Sequence, residues 1–437
     1  MEKVEFVVVG AGLSGLATAM VLAEAGAEVL VVERGDYPGS KNVTGGRLYL
    51  GPVRSYLPDL WKDAPLERRV VKERLTMMAP ESSITVELSS DRFRRPPYPS
   101  YTLLYAIFNR WFADQASERG ALVIPGYKVD DLVVKDGRVA GIISSGDEIR
   151  ANAVVAADGV HSFMAEKAGL RKPHAAKNYA VAIKEVIELA PQVIEDRFAL
   201  EDGEGTAQLF FGSLTKGIHG GGFLYTNLES LSLGLVLAIQ DLMGKSGLEQ
   251  NQGQPPVSSH DLFEAFKERS EIRPLIADGH SVEYSAHIIP EGGFRAISRL
   301  VTDGMLVVGD AAGFTLNMGV TVRGMDFALA SGVLAARALL RAREQADFTS
   351  ATLSYYKTLL KESFVWQDLK TFQYMPDFMA NPRLYERYPS MACDLLEQML
   401  WIGEQPKEKL SATILRTIRQ NLLRVDVLRD LIRMRKI

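Results

Sequence analysis

An apolar run, a Gly-x-Gly-x-x-Gly turn, a helical stretch, a second apolar run and an acid follow one another without interruption at the start of this chain. Residues 4–9 read Val-Glu-Phe-Val-Val-Val, the near-continuous apolar character of a strand buried on both faces of a parallel sheet. Gly10-Ala11-Gly12-Leu13-Ser14-Gly15 follows, and Leu13, Leu16, Ala17, Met20 and Ala23 then recur at helical spacing. Gly26 closes that helix, and residues 29–32 form a second strand that ends at Glu33. This order predicts a βαβ dinucleotide-binding unit. Gly10 permits the tight turn, Gly12 lets a pyrophosphate approach the backbone, and Gly15 lets helix and strands pack closely. The helix start, with Ala11, Leu13 and Ser14 beside the glycines, offers N–H groups and partial positive charge to phosphates. Glu33, 18 residues after Gly15, stands where a carboxylate accepts ribose hydroxyls. The competing reading is a glycine-rich turn without a ligand, and for Glu33 a solvated strand-end acid.

Two later segments favour FAD over NAD. Residues 151–159 form an apolar strand ending in Asp158-Gly159. Residues 305–308 form another, ending in Gly309-Asp310, where the carboxylate can meet the ribityl hydroxyls of a flavin. A helix expected over residues 322–341 can aim its start at the flavin pyrimidine ring, with Gly319 and Val320 presenting backbone N–H groups. Each Asp-Gly or Gly-Asp pair alone is an ordinary turn, and an ordinary helix start is the bland alternative for Gly319 and Val320. There is no second Gly-x-Gly-x-x-Gly and no Cys-x-x-x-x-Cys, which argues against a pyridine nucleotide–disulfide reductase.

Composition removes other classes. A net charge of −4 over 437 residues gives no global field for nucleic acid. Cys393 is the one cysteine, so the chain alone can build no internal disulfide, all-cysteine zinc site or four-cysteine iron–sulfur cluster. No metal is therefore expected in the isolated chain. The start runs straight into a strand, so no signal peptide is expected, and no run of 18 apolar residues is present. The expected location is cytoplasmic, with peripheral contact at the cytoplasmic membrane left open.

More specific motifs are Lys41-Asn42-Val43-Thr44-Gly45-Gly46-Arg47, Gly220-Gly221-Gly222-Phe223-Leu224-Tyr225-Thr226-Asn227, Glu283-Tyr284-Ser285-Ala286-His287, Pro290-Glu291-Gly292-Gly293-Phe294 and Asn317-Met318-Gly319 with Arg323-Gly324-Met325-Asp326. With them the chain resembles, over nearly its whole length, the flavoproteins related to electron-transfer flavoprotein:quinone oxidoreductase, most closely the FixC type. The resemblance implies an FAD-dependent oxidoreductase. It would accept electrons from an electron-transfer flavoprotein (FixA–FixB-like) and pass them toward quinone, with a separate FixX-like ferredoxin carrying the iron–sulfur cluster. It implies that Lys41, Asn42, Thr44, Gly45, Gly46 and Arg47 run past the flavin. Arg34 and Val129 complete the expected cofactor-binding set. Catalysis is assigned to the flavin ring rather than to a named acid or base. One departure stands out: relatives often carry Arg at the position of Tyr105 and Asp at that of Asn109, and Tyr105 cannot supply that charge. The alternatives are an isoprenoid double-bond reductase of the geranylgeranyl reductase type, a flavin monooxygenase, and an FAD-holding assembly subunit.

The expected fold is α/β: a Rossmann-like FAD-binding domain of the glutathione reductase/aromatic hydroxylase type over residues 1–75, 100–170 and 285–345. A sheet-rich quinone or substrate domain interleaves with it at 76–99 and 171–284, and residues 346–437 form a helical C-terminal region. Residues 245–259, with Pro255-Pro256, read as a loop. Residues 407–437 carry nine Lys/Arg and three Asp/Glu, with Leu415, Ile418, Leu422 and Val425 in a stripe and Leu428, Leu431 and Ile432 beyond. A helix on anionic lipid, a dock for an acidic ferredoxin and a helix packed on its own core all fit that pattern. Tyr225 and His287 are polar residues among apolar neighbours, read as core residues or as aids to a quinone carbonyl or a proton transfer.

Overall fold

The computed structural model describes residues 3–41, 46–172, 175–245, 257–419 and 425–435. The chain forms two compact units. The first comprises residues 1–69, 95–179 and 287–372, and the second residues 70–94, 180–286 and 373–437. The residues after 345 thus divide between the two.

The first unit is built on a sheet whose central strands run in the order Met305–Val307, Asp147–Ala156, Lys3–Val9, Val29–Val32, Leu122–Ile124, all parallel. Val301–Thr302 adds an antiparallel edge. The Val-rich strands are buried on both faces: Val7, Val8 and Val31 are fully inaccessible. Helices Leu13–Glu24 and Met325–Glu344 cover this core. Their crossing is very close, because a Cβ on Gly332 would lie 2.2 Å from the Ser14 carbonyl oxygen. Thr18 Oγ1 fastens the crossing, donating to the carbonyls of Ser14 (2.8 Å) and Gly332 (3.0 Å).

The helix expected from residue 322 starts instead at Met325. Val322–Arg323 pairs with Leu316–Asn317 as a short hairpin, and Arg323 turns back onto Asp326 (2.5 Å) and Asp368 (2.5 Å). Period-3.6 spacing of apolar residues reads through this hairpin, since two paired residues are too few to show a period of two.

In the second unit Tyr179–Glu188, Ser230–Ala238, Gly220–Thr226, Glu204–Gly212 and Arg69–Met78 lie side by side, with Ser83–Ser89 against the last. Three of these strands answer to the apolar or alternating runs of the sequence at residues 180–187, 206–211 and 231–239, the last ending one residue earlier because Ile239 starts a helix. Helix Ser259–Lys267 packs Phe263 and Phe266 on one face, and a Cβ on Gly222 would sit 2.7 Å from the Phe266 ring. Phe223 and Tyr225 stack on the other face (5.2 Å, 25°), and a Cβ on Gly234 would sit 2.1 Å from the Phe223 ring. The glycine run therefore makes room for aromatic rings lying along the sheet.

The tail splits into helices Leu410–Thr417 and Val425–Met434. Leu422 of the expected stripe, and most of the 245–259 segment, lie outside the described residues. In Leu410–Thr417 the inward face is Thr413 and Thr417, while Leu415 is 53% exposed. The second helix is fixed by Asp430. Its carboxylate is buried and accepts from Arg383 twice (2.7 Å each), Asn381 (2.8 Å) and Tyr388 (2.5 Å).

Candidate dinucleotide site

Parallel strands aim their C-terminal ends in one direction, and the loops leaving those ends form the crevice where such sheets hold ligands. Here the three central strands end level. The Ala157 amide donates to the Val9 carbonyl (2.9 Å) and the Val308 amide to the Ala156 carbonyl (3.0 Å). Gly10, Asp158-Gly159 and Gly309-Asp310 therefore leave adjacent strands side by side, with Glu33 at the end of the next strand.

Gly10 has φ +105°, and a Cβ there would lie 2.3 Å from the Ala157 carbonyl oxygen. A Cβ on Gly15 would lie 2.0 Å from the Gly10 oxygen, so this turn admits no side chain at either position. Gly12 is different. It caps helix Leu13–Glu24 with φ −79°, no side chain caps the helix, and a Cβ there would meet only the Tyr105 hydroxyl, at 3.9 Å. Apart from that hydroxyl nothing crowds Gly12 at the helix start, and a diphosphate seated there would meet uncapped N–H groups. Glu33 braces the loop: its carboxylate accepts from the Ala11 amide (2.9 Å) and the Gly35 amide (2.7 Å), and each oxygen keeps a lone pair for a hydroxyl.

The two aspartates are the titration anomalies of the site. Burial raises the Asp310 carboxyl from 3.8 to about 6, and among the described residues its side chain has no hydrogen-bond partner. Burial also raises Asp158 to about 6, against the opposing pull of the Met164 amide (2.9 Å on Oδ2) and of Arg171 and Arg34. Asp158 Oδ1, Ser162 Oγ and Asn109 Oδ1 are buried without partners. Ser162 is moreover held in the left-handed region, at φ 44°. Buried polar atoms are nearly always satisfied, so a cluster of orphans around an open helix start fits a polar ligand bearing hydroxyls and phosphates. The residues present therefore fit a flavin dinucleotide.

The remaining expected residues fall as follows. Leu13, Ser14 and Ala11 line the buried turn, and Arg34 is exposed beside Glu33. Val129 is half-buried in the loop whose Gly126 and Tyr127 amides donate to the Gly35 and Glu33 carbonyls (2.8 Å each). Lys41 is exposed, Gly46 is buried, and Asn42, Thr44 and Gly45 lie outside the described residues. Arg47 donates to Ser100 Oγ (3.1 and 3.0 Å) and lies 4.4 Å over the Tyr49 ring. The Gly309 amide donates to Ser331 Oγ (3.1 Å). The Gly319 amide donates to Asn317 Oδ1 (2.9 Å), and Val320 is 59% exposed. His287 is half-buried; burial pushes its pKa down, and nearby His161 and Arg34 add to this.

Sequence reasoning left Tyr105 and Asn109 without a role here. Both face the phosphate turn from helix Tyr105–Glu118, and Asn109 Nδ2 donates to the Ala11 carbonyl (2.7 Å). Their signal in the sequence is the departure from relatives that carry Arg and Asp at these two positions, four apart on one helix face.

Residues 5–89 and 98–338 match the family described as FAD dependent oxidoreductase, which defines the class, and FAD is its cofactor. Residues 375–437 match the ETF-QO/FixC family C-terminal domain. The Escherichia coli K12 protein FixC is 43% identical over 411 residues, spanning 94% of this chain and 93% of its own. A probable electron transfer flavoprotein-quinone oxidoreductase of the same organism, YdiS, is 42% identical over 414 residues, 95% of this chain and 94% of its own. This chain belongs to the ETF-QO/FixC family of FAD-dependent oxidoreductases. Among solved structures, a geranylgeranyl bacteriochlorophyll reductase-like protein from Thermoplasma acidophilum superposes with a TM-score of 0.72, covering 99% of this chain and all of its own. At 21% identity that likeness concerns the fold alone. Among the described residues no helix is long and apolar enough to cross a membrane.

Proposed function

We propose that this chain takes electrons from an electron-transfer flavoprotein and passes them toward quinone, acting with a small ferredoxin-like partner of the FixX type. The observation that carries this reading is family membership over nearly the whole chain, including the C-terminal segment particular to the ETF-QO/FixC group. The single, buried cysteine supports the partner, since Cys393 cannot ligate a four-iron cluster alone.

In this reading the turn Gly10–Gly15 holds the FAD diphosphate, Glu33 holds the adenosine ribose, and Asp310 takes the ribityl hydroxyls. Lys41 to Arg47, Asp158-Gly159 and Gly319-Val320 border the ring, while Arg34 and Val129 flank the adenosine end. Bound there, FAD supplies one- and two-electron redox chemistry. The protein binds and orients it, and the Asp310 carboxylate accepts its ribityl hydroxyls. The half-buried Phe223–Tyr225 stack in the second unit is a flat aromatic surface suited to a quinone ring.

Peripheral contact with an anionic membrane at the cytoplasmic face belongs to the same proposal. Leu400, Trp401 and Ile402 are 76%, 71% and 74% exposed in succession, and residues 407–437 carry a formal charge of +6. The test is anaerobic titration of the purified chain with reduced electron-transfer flavoprotein, with and without quinone and the ferredoxin-like partner. Bleaching of the flavin and quinol formation are expected. A flavin that stays oxidised at stoichiometric donor, with all partners present, would overturn the proposal.

A further inference from the structure

We propose that Tyr105 is a phosphate-positioning residue, whose hydroxyl donates its proton to a diphosphate oxygen of the bound dinucleotide at the start of helix Leu13–Glu24. This rests on the dinucleotide site proposed above and names a group that completes it.

Tyr105 opens helix Tyr105–Glu118 and is 6% exposed. A buried phenol ordinarily spends its proton on an acceptor. Here, among the described residues, no acceptor takes the proton of the Tyr105 hydroxyl. The oxygen stands 3.9 Å from where a Gly12 Cβ would be, over the uncapped helix start. Any anion seated on that helix start therefore comes within reach of the hydroxyl.

The position is rigid. Asn109, one turn further along the same helix and fully buried, donates to the Ala11 carbonyl at 2.7 Å. The helix carrying Tyr105 is thereby fastened to the loop it serves. Burial raises the Tyr105 pKa far above the usual phenol value, and the nearby Asp310 and Glu33 carboxylates raise it further. Both effects favour the protonated hydroxyl, the form that can donate. The Tyr105 contact is uncharged and adds to the backbone N–H groups of the helix start.

The test uses the full chain freed of flavin, as wild type, Tyr105→Phe and Gly12→Asp, with FAD, ADP and adenosine titrated into each by calorimetry. Tyr105→Phe keeps the ring and its packing and removes only the hydroxyl. It is expected to weaken FAD and ADP about tenfold while leaving adenosine within twofold, which is one lost hydrogen bond to a charged group. Unchanged ADP affinity would overturn the proposal, and so would equal loss of ADP and adenosine, which a merely structural role would give. Gly12→Asp separates the two claims. Full retention of ADP by that variant refutes the site itself, whereas its loss of ADP beside an unaffected Tyr105→Phe refutes only the role of Tyr105.

Discussion

Asp310→Asn tests the site through a cost that the flavin-free protein carries. A carboxyl whose pKa rises from 3.8 to about 6 on folding binds its proton more tightly in the native state. Stability therefore falls as pH rises from about 4 to about 6 and stays at the lower level above. The shift corresponds to roughly 3 kcal/mol at pH 7, an upper bound for a group at the edge of a crevice. Asparagine removes the charge and keeps the shape. The flavin-free variant should thus be more stable than wild type at pH 7 by up to about 3 kcal/mol, and the gain should vanish near pH 4. With FAD the sign reverses. Hydroxyls donating to a carboxylate are worth about 1.5–3 kcal/mol, so the variant should bind FAD roughly ten- to hundredfold more weakly. Wild-type affinity should also fall as pH drops below about 6, and the variant should lose Asp310's share of that dependence. Urea unfolding at several pH values and flavin fluorescence titration measure both arms. A flavin-free variant no more stable than wild type at pH 7, or unchanged FAD affinity, would refute the reasoning.

Arg383→Ala strips the bidentate partner from buried Asp430 and should destabilise the second unit by roughly 3 kcal/mol in urea unfolding. Arg383 and its neighbours hold the Asp430 carboxyl well below its ordinary value, so this contribution is present above about pH 4 and fades as acid protonates the group. Gly234→Ala places a Cβ 2.1 Å from the Phe223 ring and should cost about 1–3 kcal/mol, with a changed near-ultraviolet signal from the displaced Phe223–Tyr225 stack. Elemental analysis of the purified chain should find no stoichiometric iron, because Cys393 is the sole thiolate available.

Much of the first unit could be read locally. The turn at Gly10–Gly15, the strand ends at Glu33, Asp158 and Asp310, and the buried strands each follow from short-range rules, and the parallel sheet then brings them together. What could not be read depends on contacts across the chain. Asn109 reaches Ala11 over 98 positions, and nothing in the spacing of a helix says which loop its polar residues will meet. The Gly220–Gly222 run does not say which ring needs the space; Phe266, over 40 residues away, lies against Gly222. In the tail the apolar stripe fits a lipid contact, a partner dock or core packing alike; in the structure Thr413 and Thr417 are buried and Leu415 is 53% exposed. Periodicity marks an apolar face without saying whether this chain or something else covers it.

The central claim is that the opening βαβ turn grips the flavin nucleotide by its diphosphate, and Gly12→Asp tests it most directly. Gly12 has φ −79° and a Cβ there meets only the Tyr105 hydroxyl, at 3.9 Å, and aspartate is a favoured N-cap residue, so the flavin-free chain should accept it while a bound anion rejects its charge. Wild type and variant purified side by side should show the same unfolding midpoint once freed of flavin. Wild type should be yellow, with one FAD per chain, and the variant colourless. A folded Gly12→Asp protein carrying flavin at full occupancy would contradict the account.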